Sequence, residues 1–248
     1  MKILGIIPAR YASTRFPGKP LAVIRGKSMI RRVYEQASAC PSLRKVIVAT
    51  DHHAIEKHVA GFNGHIFMTS KKHKSGTERC WEVVSRLKEA GEQFDVIINI
   101  QGDEPYIDPR QITQLCESFN DDAIKIATLA KKITTNKELT DPNVVKVVSD
   151  LTQRALYFSR SGIPFSRAKG LSEPTVTSWY FKHIGIYGYR SETLKELVLL
   201  KSTPLELSES LEQLRWLEHG YQVFVRETEF ESIAVDTPAD LLKITNRD

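Results

Sequence analysis

The chain is short of cysteine, of long apolar runs and of repeated or low-complexity sequence. Its three cysteines, Cys40, Cys80 and Cys116, lie far apart and form no CxxC or CxxH pairing. An odd, scattered set supports neither a disulfide framework nor a zinc site, and reads as buried or incidental thiols. No segment approaches the roughly 20 apolar residues that a membrane-spanning helix needs. Ile3–Ile7 is the only apolar run near the N-terminus. It is too short for the core of a secretion signal, and Pro8 and Arg10 follow at once. A cytoplasmic setting without membrane insertion is expected. With no linker composition either, the expectation is one domain over residues 1–248, or one with a smaller subdomain built after Asp141.

What the chain has is a positive balance. Lysine and arginine number 35 against 30 aspartates and glutamates, a net charge of +5. That balance favours anionic partners. The densest cluster, Lys71-Lys72-His73-Lys74, has no interleaved aromatic residues and reads as a solvated loop. Scattered single cations suit phosphorylated small molecules better than nucleic acid, so no nucleic-acid partner is expected.

Apolar runs alternate with helical patterns. Strands are expected at Ile3–Ile7, Lys45–Thr50 and Asp95–Ile100, with a shorter apolar piece at His65–Met68. Ser28 suits a cap for a helix carrying Ile30, Val33, Tyr34 and Ala37, and Asp51 a cap for the next. Helices follow over Thr77–Ala90 and from Pro109 to Phe119, with proline suited to the first turn. Such alternation predicts an α/β fold with a parallel sheet covered on both faces. Later strands are expected at Ile124–Ala130, Val144–Ser149, Ala155–Phe158, His183–Tyr189, Tyr221–Val225 and Ile233–Val235. Leu207, Leu211, Leu214 and Leu217 predict one helix with a single apolar stripe. Asp236 or Thr237 would cap a final helix. Ser166–Thr177, poor in apolar residues, is a candidate lid.

Five groups could carry chemistry. The loop after the first strand, where open parallel sheets place ligands, brings Arg10, Arg15 and Lys19 together with Ser13 and Thr14. A triphosphate needs such cations and donors, although the residue types alone leave a solvated surface loop equally open. It is neither a P-loop nor a dinucleotide fingerprint. Gln101-Gly102-Asp103 breaks the strongest strand and offers a carboxylate that could hold Mg²⁺; an ordinary acidic turn is the alternative. Asp236 would end a strand near Asp103, whereas Asp240 reads as the acid of a capping box on Thr237. Ser75-Gly76-Thr77-Glu78-Arg79 is either a helix start favouring an oxygen-rich ligand or a cap with a solvated Glu-Arg pair. Arg160, His183, Tyr187, Glu212 and Gln213 suit a polyhydroxylated carboxylate, though a lone histidine or glutamate is more often structural.

Taken in order, the segments 6–21, Val48-Ala49-Thr50-Asp51, Ser75–Arg79, Gln101–Pro105, Asn143–Val148, Ala155–Arg160, His183–Arg190, Leu211–Arg215 and Val235–Pro238 resemble the CMP-KDO synthetases (3-deoxy-manno-octulosonate cytidylyltransferases) from the first strand to the last helix. Phe16 stands where leucine is common and Ser28 where proline is common, and residues 166–182 align poorly.

The resemblance implies a Rossmann-like nucleotidyltransferase fold, a mostly parallel mixed sheet with helices on both faces, in a homodimer. It implies transfer of CMP from CTP to the anomeric hydroxyl of 3-deoxy-manno-octulosonate (KDO), with pyrophosphate released, for lipopolysaccharide synthesis. Arg10, Lys19 and Asp103 would be catalytic. Ala9, Arg10, Arg15, Lys19, Thr77, Arg79 and Gln101 would bind the nucleotide, Asp103 and Asp236 would bind Mg²⁺, and Arg160, His183, Tyr187, Glu212 and Gln213 would line the sugar pocket. A related acidic sugar, 8-amino-KDO or sialic acid, is the alternative substrate. Other classes are a nucleotide-sugar-dependent glycosyltransferase and a non-enzymatic sensing or nucleic-acid-binding module.

Overall fold

The computed structural model describes residues 1–12, 16–167, 179–231 and 233–245. In chain order its first half runs β1 (Ile3–Ala9), β2 (Val23–Ile24), β3 (Lys27–Ser28), α1 (Met29–Ser38), β4 (Lys45–Thr50), α2 (His53–Ala60), β5 (Ile66–Met68), α3 (Gly76–Glu89), β6 (Val96–Asn99) and α4 (Pro109–Glu117). The second half runs β7 (Ile126–Lys132), α5 (Asn136–Thr140), β8 (Lys146–Ser149), β9 (Ala155–Ser159), β10 (Phe181–Arg190), α6 (Ser191–Leu197), α7 (Pro204–Glu209), α8 (Glu212–Glu218), β11 (Phe224–Glu227) and α9 (Pro238–Thr245).

The central strands are apolar throughout because both their faces are covered. Along β1, Leu4 and Ile6 pack into one core, while Ile3, Ile7 and Ala9 pack into the other. The same alternation divides Ile47 and Ala49 from Val46 and Val48 in β4. α1, α2 and α4 close the face of Ile3, Ile7 and Ala9 through Val33, Ile55 and Ile112. On the opposite face, α3, α6 and α8 contribute Val83, Leu194 and Leu214. Side chains that point to alternate faces at period two produce this division.

Among the described residues the main sheet has nine strands, with the path β11-β7-β10-β6-β1-β4-β5 and β8 and β9 branching from β10. β5, β4, β1 and β6 are parallel neighbours. β10 enters antiparallel between β6 and β7, pairing Tyr187 with Asn99. The result is a mixed α/β sheet with helices on both faces, and the carboxyl ends of its parallel strands open along one edge.

Four local expectations are corrected. Asp51 does not cap α2; the His52 ring accepts from the Ala54 amide instead, and Asp51 pairs with Arg79. The leucine stripe belongs to two helices, because Ser210 is left-handed (φ 53°) between α7 and α8 and Leu207 remains 70% exposed. Ile233–Val235 forms no strand: Val235 buries its side chain beside Ile24, Met29 and Ile244, and its amide bonds outside the sheet. The strand expected at Tyr221–Val225 begins at Phe224, where pairing with Ala127 starts. Tyr221 instead closes the end of α8, its amide donating to the Trp216 carbonyl at 3.0 Å after Gly220 turns the chain at φ 83°. Among the described residues, no helix is long and apolar enough to cross a membrane.

Candidate active site

A cleft of about 380 Å³ opens where β1 and β6 end. Its floor depends on a close approach of two loops. A Cβ on Gly102 would stand 2.7 Å from the Pro8 carbonyl oxygen, so only glycine lets the turn after β6 lie against the end of β1. Gly18, at φ 70°, begins a tight turn over Lys19–Leu21 that aims Lys19 toward the same turn. Lys19 Nζ reaches Asp103 Oδ2 at 2.6 Å and Asp236 Oδ1 at 3.4 Å. One ammonium therefore reaches both aspartates, although no strand carries Asp236. The Val235 amide donates to the Asp103 carbonyl at 2.9 Å and brings the 235–236 segment alongside. Asp240, as expected, completes the cap: Thr237 Oγ1 donates to it at 2.8 Å, so capping is not the task of Asp236.

Cations occupy the other wall. Arg10, Lys74 and Arg79 line the cleft with Ala9 and Gln101. The N-terminus of α3 also faces it through Ser75 and Gly76, and a helix start favours anions. Arg79 is only 4% exposed, which overturns the reading of a solvated Glu-Arg pair. Its guanidinium is held by Asp51 at 3.0 Å and by the Thr69 hydroxyl. The Lys71–Lys74 cluster is likewise more than a solvated loop. His73 and Lys74 line the cleft, and His73 bonds Glu82 at 2.5 Å. Position just before the Ser75 cap is the signal that could have marked Lys74. Arg15, Ser13 and Thr14 lie outside the described residues, as does most of the candidate lid at Ser166–Thr177.

A second cavity of about 210 Å³ adjoins the first and shares Pro8, Gly76 and Gln101 with it. Thr77 of α3, Tyr187 of β10, and Glu212 and Gln213 of α8 add to its wall. Thr77, expected among nucleotide residues, gives its hydroxyl to Glu212 at 2.8 Å. Burial raises the Glu212 carboxyl above its ordinary range, with the Thr77 hydroxyl opposing the shift. Gln101 Nε2 donates to the Gly185 carbonyl at 2.7 Å.

Asn99, Tyr189 and Trp216 also line this cavity and were not singled out from sequence, since each sits in an apolar pattern. Asn99 Oδ1, Tyr189 OH and Trp216 Nε1 are buried with no hydrogen-bond partner among the described residues. An unpaired buried polar atom is costly, and so points to a ligand or water that completes it. The polar Asn99 within Val96–Ile100 was the available signal.

His183 and Arg160 stand further out. The His183 ring lies 5.2 Å from that of Tyr187 and 3.0 Å from Thr128 Oγ1, and burial pushes its pKa down to about 3. Arg160 is held by the Glu209 carbonyl at 2.8 Å and the Pro142 carbonyl at 3.0 Å, and it lines neither cavity.

Fold and cleft together define a nucleotidyltransferase, and residues 4–232 match the family described as cytidylyltransferase. The chain is 51% identical over 247 residues to the 3-deoxy-manno-octulosonate cytidylyltransferase of Parabacteroides distasonis, covering 98% of this chain and 96% of the relative. It is 50% identical to that of Bacteroides thetaiotaomicron, covering 97% and 96%. A solved CMP:2-keto-3-deoxy-manno-octonic acid synthetase complexed with CTP superposes with a TM-score of 0.89 at 41% identity, over 99% of this chain and 97% of that one. The chain belongs to the 3-deoxy-manno-octulosonate cytidylyltransferase family. The 4-diphosphocytidyl-2C-methyl-D-erythritol synthase of Anaerococcus prevotii, at 14% identity and a TM-score of 0.60 over 98% and 97%, shares the fold alone.

Proposed function

We infer that this chain transfers CMP from CTP to the anomeric hydroxyl of 3-deoxy-manno-octulosonate and releases pyrophosphate, the activated sugar serving lipopolysaccharide synthesis. The observation that carries the reading is the wall of Pro8, Gly76 and Gln101 shared by two cavities of different chemistry. A transferase must hold two substrates with their reacting atoms in contact, and ligands on either side of this wall would meet there.

The cationic cleft suits CTP. Arg10 and Lys19 would hold the phosphates, with Arg15 and Lys74 adding charge. Ala9, Gln101 and the buried Arg79 would bound the nucleoside. The smaller cavity suits the sugar, with Tyr187, Glu212 and Gln213 meeting hydroxyls and His183 supporting Tyr187. Arg160 is held by carbonyl oxygens and lines neither cavity, so it would meet the sugar carboxylate only where the sugar extends beyond the smaller cavity. Thr77 joins this group through Glu212.

Asp103 and Asp236 fit a magnesium ion. They are hard oxygen donors at the mouth of a phosphate cleft, and Mg²⁺ usually takes one or two carboxylates plus substrate oxygens and water. Bound there, it would neutralise phosphate charge and lower the pKa of a nearby hydroxyl. The chain's own residues supply the rest. They align the anomeric oxygen in line with the α-phosphorus, and their cations stabilise charge on the departing pyrophosphate. No nucleophilic side chain is required.

A homodimer belongs to the same reading, and sedimentation analysis checks it. Pyrophosphate release measured with each of the four ribonucleoside triphosphates against KDO, 8-amino-KDO and sialic acid tests the activity. The expected result is turnover with CTP and KDO above every other pair; preference for another sugar or nucleotide overturns the assignment.

A further inference from the structure

Lys19 lies where a metal ion between Asp103 and Asp236 would compete with it. Its ammonium is within salt-bridge distance of both carboxylates, and its side chain is only 15% exposed. The backbone beneath is set by the left-handed Gly18 and by Pro20 in the turn, while the side chain has a flexible four-carbon stem. The charged end can therefore change partners without movement of the chain that carries it.

We propose that Lys19 is an exchangeable counter-cation, a positioning residue for metal entry. Without nucleotide it holds the two aspartates and keeps a bare divalent cation out; the CTP phosphates draw it away and open the pair. This rests on the reading of Asp103 and Asp236 as metal ligands. Two carboxylates converging at one strand edge repel each other, and an ammonium 2.6 Å from one of them relieves that repulsion. A bare divalent ion must displace the ammonium and shed water for only two protein carboxylates, which Mg²⁺ does reluctantly. No further acid, histidine or cysteine among the described residues completes a three-ligand group that would favour it. Triphosphate oxygens change both sides of the balance, since they attract the ammonium and add ligands for the ion. Metal and nucleotide then enter together, and the site does not fill with metal alone.

The test measures Mn²⁺ binding without nucleotide, read as loss of the free-ion paramagnetic resonance signal. Lys19→Met removes the charge and keeps most of the stem. It is expected to bind Mn²⁺ about tenfold more tightly than the parent, the lower end of what an opposite charge at this range does to a carboxylate's affinity for a cation. Lys19→Arg keeps the charge and offers a fork to both carboxylates, so it should bind no more tightly than the parent. Adding Asp103→Asn to Lys19→Met should abolish the gain. Circular dichroism melts establish that each variant is folded, and Lys19→Gln replaces Lys19→Met if the latter is not. Equal Mn²⁺ affinity in the parent and the uncharged variant overturns the exchange, as does a gain that survives Asp103→Asn. A parallel measurement of Mn²⁺·CTP by water-proton relaxation separates the two readings. If binding there depends on Asp103 while Lys19→Met gains nothing, the metal assignment stands and the exchange fails. If Asp103→Asn leaves Mn²⁺·CTP binding unchanged, both fail.

Discussion

The Val235 amide donates to the Asp103 carbonyl at 2.9 Å, and this one bond joins the segment before the last helix to the turn after β6. Val235 is fully buried against Ile24 and Met29, so an apolar anchor fixes the position of the acidic residue that follows it. Asp236 and Asp103 thus reach Lys19 from separate segments, and the site depends on packing remote from the cleft.

Asp103→Asn and Asp236→Asn should each lower kcat/KM by a factor corresponding to about 3–4 kcal/mol of transition-state stabilisation, with a raised Mg²⁺ requirement. Because Lys19 already lies between the carboxylates, neither change relieves an unbalanced repulsion, and the melting temperature of the metal-free protein should hardly move. Activity titrated with Mg²⁺, beside melting curves, checks both statements. An Asp236→Asn enzyme that titrates like the parent would remove Asp236 from the metal site.

Gly102→Ala should damage the site through backbone geometry. The new Cβ would meet the Pro8 carbonyl oxygen at 2.7 Å, and a backbone atom cannot swing aside as a side chain can. Relief of that overlap should cost about 1–3 kcal/mol of stability and displace Asp103 from Lys19. Denaturant unfolding and kcat should fall together. A stable variant with normal turnover would show that the loops need not approach so closely.

The parallel strands were legible because the two cores demand apolar residues on both faces, and β1, β4 and β6 have almost no others. Asn99 was passed over for that reason: one polar residue in such a run looks like an exception until β10 sets Tyr187 opposite it. The convergence of Lys19, Asp103 and Asp236 was legible as residue types but not as a mechanism. A strand was expected to deliver Asp236, whereas a buried valine and one long-range backbone bond do so. Asp51 looked like a cap because aspartate often caps, but the buried Arg79 guanidinium requires a carboxylate and takes it. The break at Ser210 left no mark in the leucine spacing, since a left-handed serine carries no glycine or proline signature.

Acid should destabilise the protein through His183. Burial puts its folded-state pKa at about 3 against an ordinary 6.5, so between those values the unfolded chain binds a proton that the folded chain does not. Stability therefore rises with pH across that window and is lost as pH falls through it. Glu212 acts in the opposite sense, because its raised carboxyl favours the folded state below the ordinary 4.5 and loses that advantage as pH rises. Melting temperatures measured across the acidic range should show a flatter profile for His183→Gln than for the parent. Parallel profiles would mean that the imidazole is protonated in the folded protein.

The smaller cavity predicts a division of kinetic effects. Glu212→Gln keeps an oxygen to accept from the Thr77 hydroxyl and removes a buried charge, so the fold should persist and become more stable near neutral pH. Trp216→Phe keeps the ring packed against Tyr187 and Tyr189 and removes only the unpartnered Nε1 donor. If that donor meets a sugar hydroxyl directly or through water, its loss costs about 0.5–1.5 kcal/mol, the net worth of a neutral hydrogen bond. Both variants should raise KM for the sugar several-fold and leave KM for CTP unchanged, because neither residue lines the cationic cleft. Initial rates with each substrate varied at saturating concentrations of the other decide the matter. A rise confined to CTP would place the nucleotide in the smaller cavity and reverse the assignment of the two substrates.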